Sequence, residues 1–169
     1  MIRNLASMAR SKSWWYFLMV LGVAMIGIAL YYQHVLNEWP CVLCIQVRIL
    51  FLFLVVTSVL ALVLFRFHKV RMLMHFVVAV ISAVMINRSW ILLATERGWL
   101  EGECSVNLGM PAWFAIDKWL PDIFSAWTSC GYTPVIVFGI TMAEILILIS
   151  ALLLMSGAAL FVAAFRAQP

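Results

Sequence analysis

Charge is what this chain has least of. Its 169 residues include 11 Lys and Arg, 7 Asp and Glu and 3 His, so that 11% are charged against 66% hydrophobic. Soluble domains carry about 25% charged and roughly 45–50% apolar residues. A mean hydropathy of +1.09 therefore excludes a water-bathed surface. It also excludes intrinsic disorder, which requires low hydrophobicity and high net charge. The two-residue alternation of apolar and polar positions that a membrane β-barrel needs is missing, as is any internal repeat or low-complexity tract. No small-x-small cleavage site follows the first apolar run, which passes directly into Tyr31-Tyr32-Gln33-His34. That run reads as a retained anchor rather than a signal peptide.

What the chain does have is four apolar stretches of the length that a hydrocarbon core of about 30 Å demands, roughly 20 residues each. They predict transmembrane helices at about 14–32, 44–65, 72–94 and 143–165. The expected fold is an all-α integral membrane protein, a single four-helix domain over 1–169. Two loops, about 33–43 and 95–134, fall on the side opposite the termini. In the longer loop Trp113, Ile116, Leu120 and Ile123 recur at helical spacing, with Asp117, Lys118 and Asp122 between them and prolines at 111 and 121. This pattern predicts a short amphipathic helix lying in the membrane interface.

The net charge of +4 acquires its meaning from its placement. Arg3, Arg10 and Lys12 precede the first span, Arg66, Lys69 and Arg71 fill the link between the second and third, and Arg166 follows the fourth. All seven acidic residues lie at or beyond the opposite ends of the spans. The positive-inside rule then makes the basic side cytoplasmic, with both termini there. The excess positive charge orients the protein and gives no argument for nucleic acid as a partner.

Cysteine is scarce too, and all four residues fall on the outer side. Cys41 and Cys44 stand at the mouth of the second span, Cys104 and Cys130 in the long loop. Four cysteines allow three pairings. Spacing favours Cys41 with Cys44, a C-x-x-C of the kind found in redox-active pairs, which leaves Cys104 with Cys130. Pro40 fixes the chain before the motif, and Cys44 falls in the first turn of a helix, where open N–H groups and the helix dipole favour a thiolate. Arg48 lies one turn deeper on the same face. A charge within a span costs roughly 2.5–3.5 kcal/mol on insertion scales and marks a functional site by default; the alternative is that Arg48 snorkels to the outer headgroups. Counting helix rise, Arg88 of the third span and Glu144 of the fourth reach about the same depth, which suggests one polar pocket, although Glu144 also suits the dipole at its own helix start. Zinc is disfavoured, because a four-cysteine site would show two close pairs. Haem is disfavoured because His34 is at the outer end of the first span while His68 and His75 are at the inner side.

These residues carry a resemblance. Gln33-His34-Val35, then Pro40-Cys41-Val42-Leu43-Cys44-Ile45 with Arg48, and Ile116-Asp117-Lys118-Trp119-Leu120-Pro121 between Cys104 and Cys130, together resemble the disulfide bond formation protein B (DsbB) family over essentially the whole chain. The chain departs from it in having Arg97 where some members place a histidine. The resemblance implies a thiol:quinone oxidoreductase of the bacterial inner membrane. Its partners would be a periplasmic DsbA-like thioredoxin-fold protein and a membrane quinone, ubiquinone or menaquinone. Such a partner, near about −120 mV, is too oxidising to be restored by dithiol carriers at about −180 to −230 mV. The resemblance further implies that Cys104 forms the mixed disulfide with the partner and that the Cys104–Cys130 pair passes electrons to Cys41–Cys44. Cys44 would meet the quinone beside Arg48, and Arg88, Glu144 and His34 are the remaining candidates for the quinone pocket. Two other readings stand beside it: a homologue dedicated to one client, and a non-catalytic membrane scaffold with structural disulfides.

Overall fold

The computed structural model describes residues 11–100, 116–128, 135–137 and 139–166. In chain order its elements are α1 (Lys12–His34), α2 (Val42–Val63), α3 (His68–Glu96), the single turns α4 (Ile116–Trp119) and α5 (Pro121–Phe124), strands β1 (Val135–Val137) and β2 (Ile140–Thr141), and α6 (Met142–Arg166). The four long helices have 23, 22, 29 and 25 residues. Each is long enough, at 1.5 Å per residue, to cross about 30 Å of hydrocarbon. Their outward faces are apolar: Val20, Val63, Leu148 and Met155 are all more than 60% exposed. A surface of that kind is stable only with lipid as its solvent, and the four helices form a membrane-spanning bundle.

Three of the long helices run slightly past the apolar stretches that announce them, while α2 begins two residues before its expected stretch and ends two residues short of it. Polar residues end an apolar run without ending a helix, so Lys12, His34 and Glu96 are all helical. Ser11 caps α1, its Oγ accepting from the Ser13 N–H at 3.1 Å. At the end of the bundle that carries both chain termini, Lys12 and Arg71 stand over the Phe65 ring, at 5.4 and 5.1 Å from its centroid. This contact ties α1 and α3 to the turn between α2 and α3.

Inside the bundle, Trp15, Leu18, Leu54, Val78, Met85, Leu92, Leu146 and Leu153 form one continuous buried cluster. Trp15 and the wholly buried His75 bring their rings to 4.7 Å. Ser58, Ser82 and Ser150 are fully buried without cost, because each hydroxyl donates to the carbonyl four residues back, at 2.6–2.8 Å. Small residues let the helix backbones approach closely. At Gly22 a Cβ would sit 2.5 Å from Val55 Cγ2 and 3.3 Å from the Phe51 carbonyl oxygen.

Two features correct the sequence reading. The expected interfacial helix is two separate turns, because Pro121 drives Leu120 out of helical geometry (φ −136°, ψ 67°). Ile116 is buried, but Leu120 is exposed rather than on the packed face; Trp113 lies outside the described residues. The buried apolar side of this segment packs on protein: Ile116, Phe124 and Ala126 cluster with Ile45 and Ile49 of α2. The second feature is a small antiparallel hairpin ahead of α6, pairing Val135 with Thr141 and Val137 with Ile140. It turns through Gly139 at φ 81°, a left-handed backbone that glycine adopts freely.

Gly22→Val is expected to lower the thermal midpoint of the detergent-solubilised protein, by the about 1–3 kcal/mol typical of overpacking. Gly27→Ala, with nothing within 4 Å of its Cβ, is expected to leave the midpoint unchanged.

Candidate functional site

The C-x-x-C motif opens α2. Cys41 is the N-cap residue, in extended conformation, and its Sγ accepts from the Cys44 N–H at 3.3 Å. The two sulfurs stand 2.8 Å apart. One backbone turn thus holds both thiols together, with the open N–H groups of the first helical turn beneath them. The two differ in surroundings: Cys41 is buried at 2% exposure, while Cys44 is half-buried and lines a cleft.

Arg48 lies one turn further along α2 and is only 5% exposed, so it does not snorkel to the surface. Its Nη1 donates to Gln33 Oε1 at 2.8 Å and, in a short contact, to the Ile123 carbonyl; its Nη2 donates to the Ala29 carbonyl at 3.4 Å. Gln33 Nε2 in turn donates to the Asp122 carbonyl at 2.7 Å. The guanidinium therefore joins α1, α2 and the α5 segment in one network, and its partners are carbonyl oxygens rather than carboxylates. The segment continues alongside the motif. The Trp127 N–H donates to the Pro40 carbonyl at 3.0 Å, Thr128 Oγ1 donates to the Trp39 carbonyl at 3.0 Å, and Thr128 bridges Cys41 in parallel register. Trp39 and Trp127 close the edge, with ring centroids 5.6 Å apart.

Beside this network a mostly apolar cleft opens between all four long helices. α1 contributes Met25, Ala29 and Tyr32, α2 contributes Cys44, Val47, Arg48 and Phe51, α3 contributes Leu92, and α6 contributes Met142 and Leu146. The loop after α1 adds Glu38, Trp39 and Pro40. Arg48 Nε is buried and has no hydrogen-bond partner among the described residues. Apolar walls, an unused N–H donor and a cysteine sulfur suit a flat apolar ring carrying carbonyl oxygens, the chemistry of a quinone.

The structure separates the other sequence candidates from this cleft. Arg88 is half-buried in a different groove, between α2 and α3, with Gln46, Ile49, Leu50 and Val84. Glu144 belongs to its own helix start: Oε2 accepts from the Thr141 N–H at 3.2 Å and Oε1 from Arg97 Nη2 at 2.6 Å. It thus serves as a capping carboxylate paired with Arg97. His34 is exposed at the end of α1. The expected convergence of Arg48, Arg88 and Glu144 fails because equal depth does not fix azimuth, and depths differ as well. Measured along each helix from the cysteine-bearing end, they are about 9, 12 and 3 Å. Cys104 and Cys130 lie outside the described residues. Gln33 is a site residue that the sequence reading does not single out. The available signal is an amide in the last turn of an apolar span.

Arg48→Met is expected to release the α5 segment, since hydrogen bonds to charged groups contribute about 1.5–3 kcal/mol each. Trypsin cleavage at the exposed Lys118 should become about tenfold faster or more, a gain equivalent to about 1.4 kcal/mol of easier opening. An unchanged rate would mean that the network does not hold the segment down.

The model of the family described as "Disulfide bond formation protein DsbB" matches residues 11–160. Disulfide bond formation protein B of Shewanella amazonensis is 30% identical over 152 residues, covering 85% of each chain. The protein of the same name from Shewanella denitrificans is 28% identical over 142 residues, covering 83% of this chain and 81% of that one. Disulfide bond formation protein B 2 of Pseudomonas aeruginosa is 28% identical over 135 residues, covering 79% and 80%.

Proposed function

The chain belongs to the DsbB family of disulfide-forming membrane proteins, and from that premise we propose that it oxidises a periplasmic DsbA-like dithiol protein and delivers the electrons to a membrane quinone. The observation that carries this reading is the unequal setting of the two motif cysteines. Cys41 is buried against the segment that leads to Cys130, whereas Cys44 faces the apolar cleft beside Arg48. Cys130 follows Thr128 by two residues, so chain length alone keeps its Cα within about 7 Å of that of Thr128, the residue bridged to Cys41. Thiol–disulfide exchange between the two pairs needs such closeness.

In the proposed sequence the partner's thiolate attacks the Cys104–Cys130 disulfide at Cys104, forming one S–S bond and breaking another. The partner's second thiol resolves the mixed disulfide, and the partner leaves oxidised. The reduced loop pair then exchanges with the Cys41–Cys44 disulfide and becomes oxidised in its turn. Cys41 and Cys44 are left as thiols, each exchange having moved two electrons and two protons. A quinone in the cleft, ubiquinone or menaquinone, supplies an acceptor for those two electrons and two protons. Arg48 would hold the Cys44 sulfur in its charged state and offer its free Nε–H to a carbonyl oxygen, while Phe51, Leu92 and Leu146 exclude water. The basic residues Lys12, Arg66, Lys69, Arg71 and Arg166 gather at the end opposite the cysteines, which supports cytoplasmic termini in the inner membrane.

Cys44→Ser and Cys104→Ser are each expected to abolish re-oxidation of a reduced DsbA-like partner by the purified protein. Cys104→Ser should also lose the disulfide-linked adduct trapped with that partner. Normal turnover by either variant would overturn the relay.

A further inference from the structure

The groove between α2 and α3 is separate from the cysteine cleft and chemically incomplete. It measures about 160 Å³, opens on the outer face of the bundle and is lined by Gln46, Ile49 and Leu50 of α2 and Val84 and Arg88 of α3. Arg88 forms no hydrogen bond or ion pair with any described residue; the described carboxylate nearest in function, Glu144, is engaged by Arg97. Gln46 Oε1 is buried and also has no hydrogen-bond partner among the described residues. Arg88, an anion-binding donor, and Gln46, with its orphaned acceptor, thus line one recess, and no described residue satisfies either. Val84, at 40% exposure, and Leu50 give the recess an apolar floor.

Depth narrows the choice of occupant. Arg88 is about 12 Å, and Gln46 about 6 Å, along their helices from the cysteine-bearing end. The 29 residues of α3 span about 43 Å, so a helix centred in about 30 Å of hydrocarbon would place Arg88 some 5–6 Å below its edge. Long arginine side chains reach headgroups from that depth. We propose that this groove is a phospholipid site, in which Arg88 holds the phosphodiester and Gln46 Oε1 accepts a hydrogen bond from the headgroup. Charge complementarity calls for the phosphate, and the orphaned acceptor calls for a headgroup bearing an N–H or O–H. Phosphatidylethanolamine and phosphatidylglycerol have such a donor; phosphatidylcholine has none.

The test is native mass spectrometry of the full-length protein, delipidated in detergent and titrated with these three lipids carrying identical acyl chains. The wild-type protein is expected to bind the ethanolamine and glycerol lipids at least about fivefold more tightly than the choline lipid. Arg88→Leu should bring all three to the same weak binding, Arg88→Lys should retain the phosphate and keep most of the affinity, and Gln46→Leu should erase the headgroup preference alone. Equal binding of the three lipids by the wild-type protein would overturn the proposal, as would an unchanged preference in Arg88→Leu. So would displacement of the bound lipid by stoichiometric quinone, which would assign the groove to quinone instead. The wild-type comparison needs no variant, so a substitution that fails to fold leaves the proposal open to refutation.

Discussion

The buried guanidinium of Arg48 is the contact on which the cysteine-bearing end of this molecule depends. A positive charge within an apolar bundle persists only where its hydrogen bonds are made, and here they are made to Gln33, to the Ala29 carbonyl at the end of α1 and to the Ile123 carbonyl of the loop segment. The same bonds that make the charge tolerable fasten the segment over the C-x-x-C turn. Pairing of residues 127 and 128 with 39–41 follows from that placement, as does the small apolar cluster beneath Ile116 and Phe124. One side chain thus joins membrane helices to an extramembrane loop, and its Nε has no hydrogen-bond partner among the described residues.

That arrangement gives the two motif cysteines different neighbours although they share one helical turn. Cys41 is enclosed and backbone-paired to the loop segment, while Cys44 opens on the cleft between the helices. In the proposed relay this is a division of labour imposed by phase. Protein thiols arrive through water and the electron acceptor through lipid, and a motif at the mouth of a membrane helix is where both can be met. The bundle supplies the apolar walls, and its tight packing through Gly22, Ser58, Ser82 and Ser150 keeps those walls in register.

The four spans were legible in the sequence because hydrocarbon thickness imposes a length and a composition that few other segments share. The C-x-x-C at a helix start was legible because Pro40 and the onset of the apolar run mark it. Azimuth was not. Helix rise placed Arg88 and Glu144 near Arg48 in depth, but the faces they occupy depend on how α2, α3 and α6 pack, and periodicity is nearly silent where a helix is apolar all round. Glu144 was ambiguous because a capping carboxylate and a pocket carboxylate look alike until Arg97 is seen beside it. The interfacial segment had the right apolar spacing at Ile116 and Ile123, yet Pro121 cut the helix between them. Gln33 is not legible in the sequence, because a lone amide at the end of a span says nothing of its partner until the partner is placed.

Coupling between thiol oxidation and the membrane acceptor is the step on which the proposed relay depends. The most direct measurement is anaerobic oxidation of a reduced DsbA-like protein by the purified, quinone-depleted chain, with added ubiquinone followed by its absorbance. The relay predicts no turnover without quinone, and with it the loss of one quinone for each disulfide formed in the partner. Disulfide formation that proceeds equally well without quinone, or quinone that is not consumed as disulfides form, would contradict it.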